Sequence, residues 1–432
     1  MTTTHMPKQN LGGKRAWIIL VCAATFYFYQ FIIRVFPAVM DKELMQAFSI
    51  DATGLGWLSS TYYIAYVSVL IPLGVLMDRV GPRRLLTLAG FMCAMGCGMF
   101  SFATGFWMPC VARFLMGLGA ACGFLGCLKL GTLWFRPRHM GKVIAVTLAF
   151  GTTGAMFGGA PLELLNNTVG WHVTLQILGL TGLLISGLIF TFVRDGPPGN
   201  KLSNGVDEHV FSGLVQVLLT PQVWFLALFG MLMYVPMVIL GDLWGVGFVE
   251  KYYGIDQKVA ASVVAAMWIG AAVGSPIFTT LSDEWARRRS PMILCVIGAL
   301  VVHCLVFLVD GIPLLAMYVL FFLIGLFYTG KALTFASVTE IIPRSASGVA
   351  IGVTNMVVMT SGIVAHPLVG WLVDHHWDGA MIEVKDALVP LYSIHDYRFG
   401  LSILPISMVL SFLLLQVIRE THPAFRGPKR FG

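Results

Sequence analysis

The chain has 432 residues, of which 57% are hydrophobic and only 11% are charged, and its mean hydropathy is +0.82. A soluble domain usually carries about 25% charged residues, and a disordered chain is rich in charge and poor in apolar residues, so both classes are excluded. The net charge of +7 does not indicate nucleic-acid binding, because the basic residues form short clusters between apolar runs, as in the loops of membrane proteins.

Twelve apolar windows follow one another along the chain, and each is close to the roughly 20 residues that a bilayer-spanning helix needs. The first window is too long for the core of a signal peptide and lacks an A-x-A cleavage site, so we interpret it as a retained helix. The sequence therefore predicts an all-α polytopic membrane protein. The windows lie near residues 16–40, 54–77, 84–104, 107–134, 142–165, 172–193, 222–248, 259–281, 291–309, 313–338, 348–373 and 398–418.

The longest polar stretch, between the sixth and seventh windows, is rich in Pro, Gly and Asn and suits a flexible linker. It divides the chain into a six-helix unit at 1–193, a cytoplasmic linker at 194–221 and a second six-helix unit at 222–432. If the N-terminus is cytoplasmic, the inside loops hold 19 Lys and Arg residues and the outside loops hold 5. This asymmetry predicts that both termini face the cytoplasm.

The loops after the second and eighth windows resemble each other. Asp78 and Asp283 are 205 residues apart, and Arg83 and Arg288 keep the same offset. A six-helix unit repeated in parallel is the simplest explanation.

These residues carry a resemblance to the major facilitator superfamily. The family's loop signature, G-x-x-x-D-R-x-G-x-R-R, is matched by Gly74, Asp78, Arg79, Gly81, Arg83 and Arg84, and Arg113 with Gly117 and Gly119 matches its fourth helix. The resemblance implies two pseudo-symmetric six-helix bundles, transport by alternating access, and a central cavity lined by helices 1, 4, 7 and 10. More loosely, the chain is similar to bacterial carriers related to the lysosomal dipeptide transporter and to siderophore and organic-anion porters, which implies a monomer in the bacterial inner membrane.

Within this loop signature, Gly74 allows close helix approach, and Asp78 can pair with a basic residue or cap a neighbouring helix. We therefore expect the charged residues of both loops to take part in gating. The alternative is that the loops only set the topology. The gating candidates are Asp78, Arg79, Arg83, Asp283 and Arg288.

Ionisable groups within spans are costly and are functional candidates by default. The spans contain four basic residues, Arg34, Arg113, Lys129 and Lys331. The acids that can be set against them are few, namely Glu163, Asp242 and Glu340. Because the membrane interior is net positive, the predicted substrate is a small anion or zwitterion, such as an organic acid, an amino acid or peptide, or a siderophore-like carboxylate.

The first helix carries a polar stripe, because Tyr27, Gln30 and Arg34 share one face. This stripe should face a cavity rather than lipid, so all three residues are substrate-binding candidates. Arg34 and Asp242 are 208 residues apart, close to the repeat offset, so we expect them to pair as an outer gate or coupling site. A static buried ion pair is the alternative.

Lys129 and Lys331 are 202 residues apart, and we expect them to grip a substrate carboxylate or phosphate from both halves, with Tyr328 on the same face as Lys331. Snorkelling to the membrane surface is the alternative for both lysines. Arg113 points about 160° away from Lys129 on a straight helix, so it is a binding candidate with a more structural or gating role.

Glu163, Asp242 and His366 are candidate proton carriers, and the pattern leaves open whether transport is proton coupled. His303 and His366 could equally be hydrogen-bonded interior groups. No metal-ligand or catalytic constellation stands out, so we predict no enzyme activity, no cofactor and no metal. A transporter-like sensor that binds a solute without moving it remains the alternative function. The expected partners are the small-molecule substrate, the lipid bilayer and, if transport is proton coupled, a proton.

Overall fold

The protein is described by a computed structural model that covers residues 12–196, 208–343, 346–384 and 387–425. Twelve of its helices are long and apolar enough to cross a membrane. The predicted twelve-span helical fold is therefore confirmed. Parts of the predicted linker (197–207) and of the basic C-terminal tail (426–432) lie outside the described residues.

The spans are numbered 1 to 12 in chain order, and four of them are built from consecutive helical pieces. The spans are Lys14–Val39, Ala52–Val80, Pro82–Ser101, Trp107–Trp134, Met140–Phe157, Ala160–Phe192, Pro221–Tyr253, Gln257–Glu284, Arg289–Leu308, Leu314–Ile341, Ser347–His376 and Ile394–Val417. The pieces are Lys14–Val35 and Phe36–Val39 in span 1; Pro221–Pro236, Met237–Trp244 and Gly245–Tyr253 in span 7; Leu314–Tyr328 and Gly330–Ile341 in span 10; and Ile394–Leu401 and Ile403–Val417 in span 12.

The helix Ala160–Phe192 is kinked at Gly170, which separates a short first part from a longer second part. Gly170 adopts φ 79° and ψ 162°, a conformation that favours glycine. The residues before it continue the path of span 5 along span 1, since a Cβ on Gly158 would lie 2.3 Å from Val35. Glu163 therefore belongs to the end of span 5, as the window 142–165 predicts.

Three connecting elements complete the fold. The 1–2 helix, Asp41–Phe48, joins spans 1 and 2. A second helix, Glu208–Leu218, occupies part of the stretch that the sequence predicts to be a flexible linker. A two-stranded antiparallel hairpin, Met381–Val384 with Ala387–Pro390, joins spans 11 and 12 and contacts the 1–2 helix. The hairpin adds to the all-helical prediction without changing the membrane-crossing part.

Span 1 begins and span 12 ends on the same side of the bundle. We call this side the terminal side and the opposite side the distal side. On the distal side, spans 2 and 11 pack tightly and join the two halves. A Cβ on Gly56 would lie 2.5 Å from the His366 carbonyl oxygen, and one on Gly370 would lie 2.3 Å from that of Ala52. The Ser60 hydroxyl also donates to the carbonyl of Gly362 across this contact (3.0 Å).

The same two spans separate towards the terminal side. Gly74 is 18 residues from Gly56, and Gly352 is 18 residues from Gly370, so each pair shares one helix face. A Cβ on Gly74, Gly348 or Gly352 would meet no heavy atom within 4 Å. The close approach that the sequence predicts at Gly74 is therefore absent in this conformation, which is closed on the distal side.

Candidate functional site

The centre of the molecule contains an ion pair between the two halves. Arg34, near the end of the first helical piece of span 1, donates to Asp242 Oδ2 from Nε (2.8 Å) and from Nη2 (2.6 Å). The two side chains are only 6% and 2% exposed. The predicted pairing of these residues is confirmed, and its role in gating or coupling stays a prediction.

Two tyrosines complete this central pair. The Tyr63 hydroxyl of span 2 donates to Asp242 Oδ2, and Arg34 Nη2 donates to the Tyr234 hydroxyl of span 7 (2.7 Å). Asp242 Oδ1 is buried and finds no hydrogen-bond partner among the described residues. One carboxylate oxygen therefore collects three donors, all from the other half of the molecule.

Asp242 lies in the π-helical piece Met237–Trp244. π-helical segments are rare in proteins, and those that occur inside α-helices often lie at functional sites. A Cβ on Gly241 would lie 2.9 to 3.0 Å from the side chains of Met267 and Trp268 in span 8, so glycine favours close packing here. The local sequence thus brings span 8 close to the central pair.

The polar stripe of span 1 faces the protein interior. Gln30 is buried and its side-chain oxygen accepts from the Tyr62 hydroxyl (3.0 Å). Tyr27 is 8% exposed, and its ring packs edge-on against Phe31 at 5.1 Å. Both residues lie on the same helix face as Arg34, so the stripe avoids lipid as expected.

Lys331 lies beside the central pair on span 10. Its ammonium nitrogen is 3.8 Å from the centre of the Tyr234 ring and 5.0 Å from that of the Tyr328 ring. The contact with Tyr328 agrees with the predicted shared face. In the described part of the chain, no carboxylate forms a salt bridge with Lys331, whereas Arg34 binds the hydroxyl end of the same Tyr234.

Lys129 has a partner within its own half, and the predicted two-lysine clamp stays a prediction. Its ammonium group forms an ion pair with Asp78 at the end of span 2, and 29% of the lysine side chain is exposed. This pair satisfies the expectation that Asp78 binds a basic residue. It lies within the N-terminal half on the terminal side, so Lys129 does not reach across to Lys331 in this conformation.

Arg113 is buried and supports the backbone of span 1. It donates to the carbonyl oxygens of Ile33 (2.7 Å) and Arg34 (3.2 Å), and its guanidinium lies 4.8 Å from the centre of the Tyr62 ring. Helix ends leave carbonyl groups without partners, and Arg113 supplies donors to two of them. These contacts agree with the more structural role expected of Arg113, and its part in substrate binding stays a prediction.

The loop signature of the N-terminal half ties its own helices together. Arg83 donates from its side chain to the Phe190 carbonyl (2.6 and 3.0 Å), and its backbone N–H donates to Asp195 (2.7 Å). Arg79 is exposed. A carboxylate at a helix N-terminus satisfies free N–H groups, so Asp195 stabilises the start of span 3.

The repeat of this loop in the C-terminal half is built in the same way. Arg288 binds Asp283 (2.6 Å) and Glu340 (2.8 Å), and Glu420 accepts from the backbone N–H groups of Arg288 and Arg289 at the start of span 9. Asp195 and Glu420 each follow the last span of a half. The pseudo-repeat therefore includes an acidic cap that the sequence analysis missed.

The two predicted histidines are buried. His366 of span 11 packs beside Tyr63 with ring centres 5.6 Å apart, and neither ring nitrogen has a hydrogen-bond partner within the described ranges. His303 contacts the Ala299 carbonyl through Nδ1 (2.6 Å). Among the described residues, no group of three or more His, Cys, Asp or Glu side chains is placed to hold a metal ion.

Sequence reasoning missed the tyrosines Tyr62, Tyr63 and Tyr234. In apolar spans a tyrosine is hard to distinguish from packing residues. The signal that could have found them is the run of aromatic hydroxyls in span 2, where Tyr62, Tyr63 and Tyr66 are adjacent or one turn apart.

Solved structures share the fold of this chain. A bacterial homologue of the human lysosomal transporter Spinster, in an inward-facing and unoccupied conformation, aligns with a TM-score of 0.72 at 17% identity and covers 94% of this chain and 96% of its own. A mutant of the nucleoside transporter NupG aligns with a TM-score of 0.73 at 13% identity, over 93% of this chain and 99% of its own.

Curated relatives match over most of the chain. The hexuronate transporter of Bacillus subtilis (strain 168) is 24% identical over 76% of this chain and 80% of its own length. The probable galactarate/D-glucarate transporter GudP of Escherichia coli (strain K12) is 22% identical over 86% and 90%. The lysosomal dipeptide transporter MFSD1 of Danio rerio is 24% identical over 73% and 71%. The family model described as Major Facilitator Superfamily matches residues 17–365 and 243–429, and with the twelve-span fold this match makes the chain a member of the major facilitator superfamily.

Proposed function

We propose that the protein is a secondary transporter that moves a small organic anion across the membrane by alternating access. The observation that carries the proposal is Lys331, a cation beside the central ion pair for which the described residues supply no carboxylate. An ionisable group within a membrane span is costly, and a substrate carboxylate would supply Lys331 with a partner of opposite charge.

The surroundings of Lys331 favour a carboxylate with a bulky, partly polar body. The rings of Tyr234 and Tyr328 lie against its ammonium group and pack against each other with ring centres 5.8 Å apart. Such rings pack against the apolar face of a sugar, and their hydroxyls can bind sugar hydroxyls. We therefore propose a sugar acid, the class named by the hexuronate and glucarate relatives.

A dipeptide is the second candidate, because one relative is named as a dipeptide transporter. A dipeptide carries an ammonium group that needs a carboxylate as well as a cation for its own carboxylate. Asp242 is the nearby acid, and its Oδ2 already receives Arg34 and Tyr63. A sugar acid needs no such second contact, so we favour it.

Alternating access is supported by the unequal packing of spans 2 and 11. The distal side is closed around Gly56 and Gly370, whereas Gly74 and Gly352 on the same faces have open space. We propose that the opposite state closes this second pair of glycines and opens the first. The excess of Lys and Arg in the loops of the terminal side supports a cytoplasmic orientation of that side, in a bacterial plasma membrane.

We further propose that a proton takes part through Asp242. Protonation would remove the charge that holds Arg34 and would release the contact between spans 1 and 7. The pair joins the two halves, so its release would be coupled to their movement.

A thermal-shift screen on the purified protein tests the substrate class. Hexuronates, aldarates, dipeptides and neutral hexoses are compared at one concentration and one pH. A ligand that binds the folded state raises the melting temperature. We expect a carboxylate sugar to stabilise the wild type and to have no effect on Lys331→Ala, with Lys129→Ala as the matched control that retains the shift. Stabilisation by neutral hexoses and not by carboxylates would contradict the anion proposal.

A further inference from the structure

A second group of ionisable side chains lies on the distal side, where the 1–2 helix meets the C-terminal half. We name Asp41, Glu43, Glu163 and Glu250 the distal carboxylate cluster. Two contacts cross between the halves here: Lys42 forms an ion pair with Glu250 of span 7, and the side-chain amide of Gln257 in span 8 donates to Asp41 Oδ1 (3.1 Å). The cluster is therefore part of the closed distal side.

Several oxygen atoms in and around this cluster are buried and lack donors. Glu163 is 2% exposed; its Oε1 accepts from Asn167 (2.9 Å), but its Oε2 has no hydrogen-bond partner in the described structure. One carboxylate oxygen of Glu43 and one of Glu250 are also buried without a hydrogen-bond partner among the described residues.

Asn166 provides an independent sign that a donor belongs here. Its side chain is buried, with the residue 3% exposed, and its amide nitrogen donates to Glu43 Oε1 (3.1 Å), which directs the side chain into the cluster. Its Oδ1 finds no donor among the described residues. A buried acceptor without a donor costs about 1–3 kcal/mol. A proton on a neighbouring carboxyl group converts an acceptor into a donor and removes this cost.

The charges that face Asp41 are mostly negative. Lys42 and Glu43 lie on its own helix, Glu250 and Lys251 on span 7, Glu163 at the end of span 5, and Tyr397 on span 12. Asp41 lies outside the spans and is 5% exposed. Burial, with smaller contributions from Glu250 and Glu43, raises its pKa to about 7 against the opposing effect of Lys42.

We propose that the distal carboxylate cluster is a proton-binding site, and that proton binding there stabilises the closed distal side. The ligand is a proton that enters and leaves on the distal side. It therefore sets the balance between the two states without crossing the membrane. The inference depends on the opening and closing in the proposed function and is independent of the substrate.

The direction of the pH effect follows from the two environments of Asp41. In the open state its carboxylate would be hydrated, with a pKa near the usual value of about 3.9. Because the closed state binds the proton more tightly, closure is favoured as the pH falls. The closed-to-open ratio should rise by up to about tenfold per pH unit between about pH 7 and pH 4, and change little above that range.

Distance measurements between spin labels test the proposal on the full-length protein in nanodiscs without substrate. The labels are attached through Ala47→Cys and Lys258→Cys, exposed positions on the two halves of the distal side, after replacement of the part-exposed Cys22 and Cys304 by Ser. We expect the long-distance population to decline as the pH is lowered from about 8 to about 5.

Asp41→Asn removes the titrating group and should flatten this pH dependence, and Glu163→Gln provides a second variant if Asp41→Asn does not fold. Asp256→Asn is the matched control, since Asp256 is an exposed distal acid, and it should retain the dependence. Unchanged pH dependence in both Asp41→Asn and Glu163→Gln, or no dependence in the parent protein, would overturn the proposal. Closure by Na⁺ but not K⁺ at fixed alkaline pH would also overturn it, in favour of a metal-cation site. Substrate stabilisation of the same variants reports separately on the proposed function.

Discussion

Two lysines on opposite halves carry the same charge in different surroundings. Lys129 is partly exposed and paired with Asp78, so its charge is already compensated. Lys331 lies over the rings of Tyr234 and Tyr328, and the Tyr234 hydroxyl accepts a hydrogen bond from Arg34. The face of an aromatic ring attracts a cation by about 0.5–2 kcal/mol. An anion bound to the Lys331 ammonium group would add a further attraction. At the scale of single residues, the surroundings rather than the charge are the reason why we propose Lys331 as the binding group.

Lys331→Ala should weaken binding of a carboxylate substrate by about 10- to 100-fold, because a hydrogen bond to a charged group contributes about 1.5–3 kcal/mol. Isothermal titration calorimetry on the purified protein measures this loss. Lys129→Ala, the matched control, should bind within about twofold of the wild type. Equal losses in both variants would contradict the role of Lys331.

The central ion pair should show strong coupling between its two members. Asp242→Leu or Arg34→Met alone leaves one buried charge uncompensated, which costs about 3–5 kcal/mol. The double variant leaves neither charge and should recover most of that stability. Thermal unfolding in detergent compares the three variants with the wild type. If the loss of stability in the double variant equals the sum of the two single losses, the two side chains do not stabilise each other.

The pairing of Arg34 with Asp242 could be predicted from a repeat offset, because each residue is a costly charge in an apolar span. Tyr63 and Tyr234 could not, since their role depends on hydroxyl directions that only the packed spans define. The pairing of Lys129 with Asp78 was missed for a similar reason. Its charge and depth suggested a cavity, and the sequence did not reveal that Asp78 lies within reach.

At the scale of elements, spans 2 and 11 carry matching rows of small residues. The two spans are in close contact at one end of these rows and apart at the other. Gly362 is covered by the Tyr63 ring, whose carbons lie 2.4 to 2.5 Å from a Cβ built there. Gly352, ten residues earlier on the same span, has no atom within 4 Å. Small residues permit close helix packing in membranes, so these rows define where the halves can meet.

Gly362→Ala should destabilise the distal contact, because the added methyl group displaces Tyr63 and weakens its hydrogen bond to Asp242. Overpacking of this kind costs about 1–3 kcal/mol. The melting temperature measures the effect, and Gly352→Ala on the same helix is the control expected to match the wild type. A larger loss for Gly352→Ala would refute the assignment of the closed end.

Gly74→Leu tests the opposite state. The side chain has space in this conformation, so folding and substrate binding should persist. Closing of the terminal side should be blocked, and transport should fall by at least about tenfold. Gly187→Leu is the matched control, because Gly187 is exposed on span 6 and also meets no atom within 4 Å. Transport by Gly74→Leu at the level of Gly187→Leu would contradict the alternation of these contacts.

Hydropathy predicted all twelve spans because the bilayer demands length and apolarity from each. It did not predict the hairpin Met381–Val384 with Ala387–Pro390, whose residues carry no strong alternation, or the π-helical piece around Asp242. The helix Glu208–Leu218 was also missed, because its surroundings are rich in turn-forming residues. Short elements depend on tertiary contacts more than on their own sequence.

At the scale of the whole molecule, three of the contacts that join the two halves differ in kind. Spans 2 and 11 provide close packing, Arg34 and Asp242 provide a central ion pair, and Lys42 with Glu250 provides a distal one. All three must change if the distal side opens. We therefore propose that substrate binding at Lys331 is coupled to movement of the helices that carry these contacts.

Uptake into proteoliposomes tests this central claim most directly. A labelled sugar acid that stabilises the purified protein is offered outside vesicles containing wild type, Lys331→Ala or Lys129→Ala, with and without an inward proton gradient. We expect carboxylate-dependent accumulation by the wild type and by Lys129→Ala, and loss of accumulation in Lys331→Ala. Binding without uptake under every gradient would contradict transport, and full uptake by Lys331→Ala would contradict the proposed binding site.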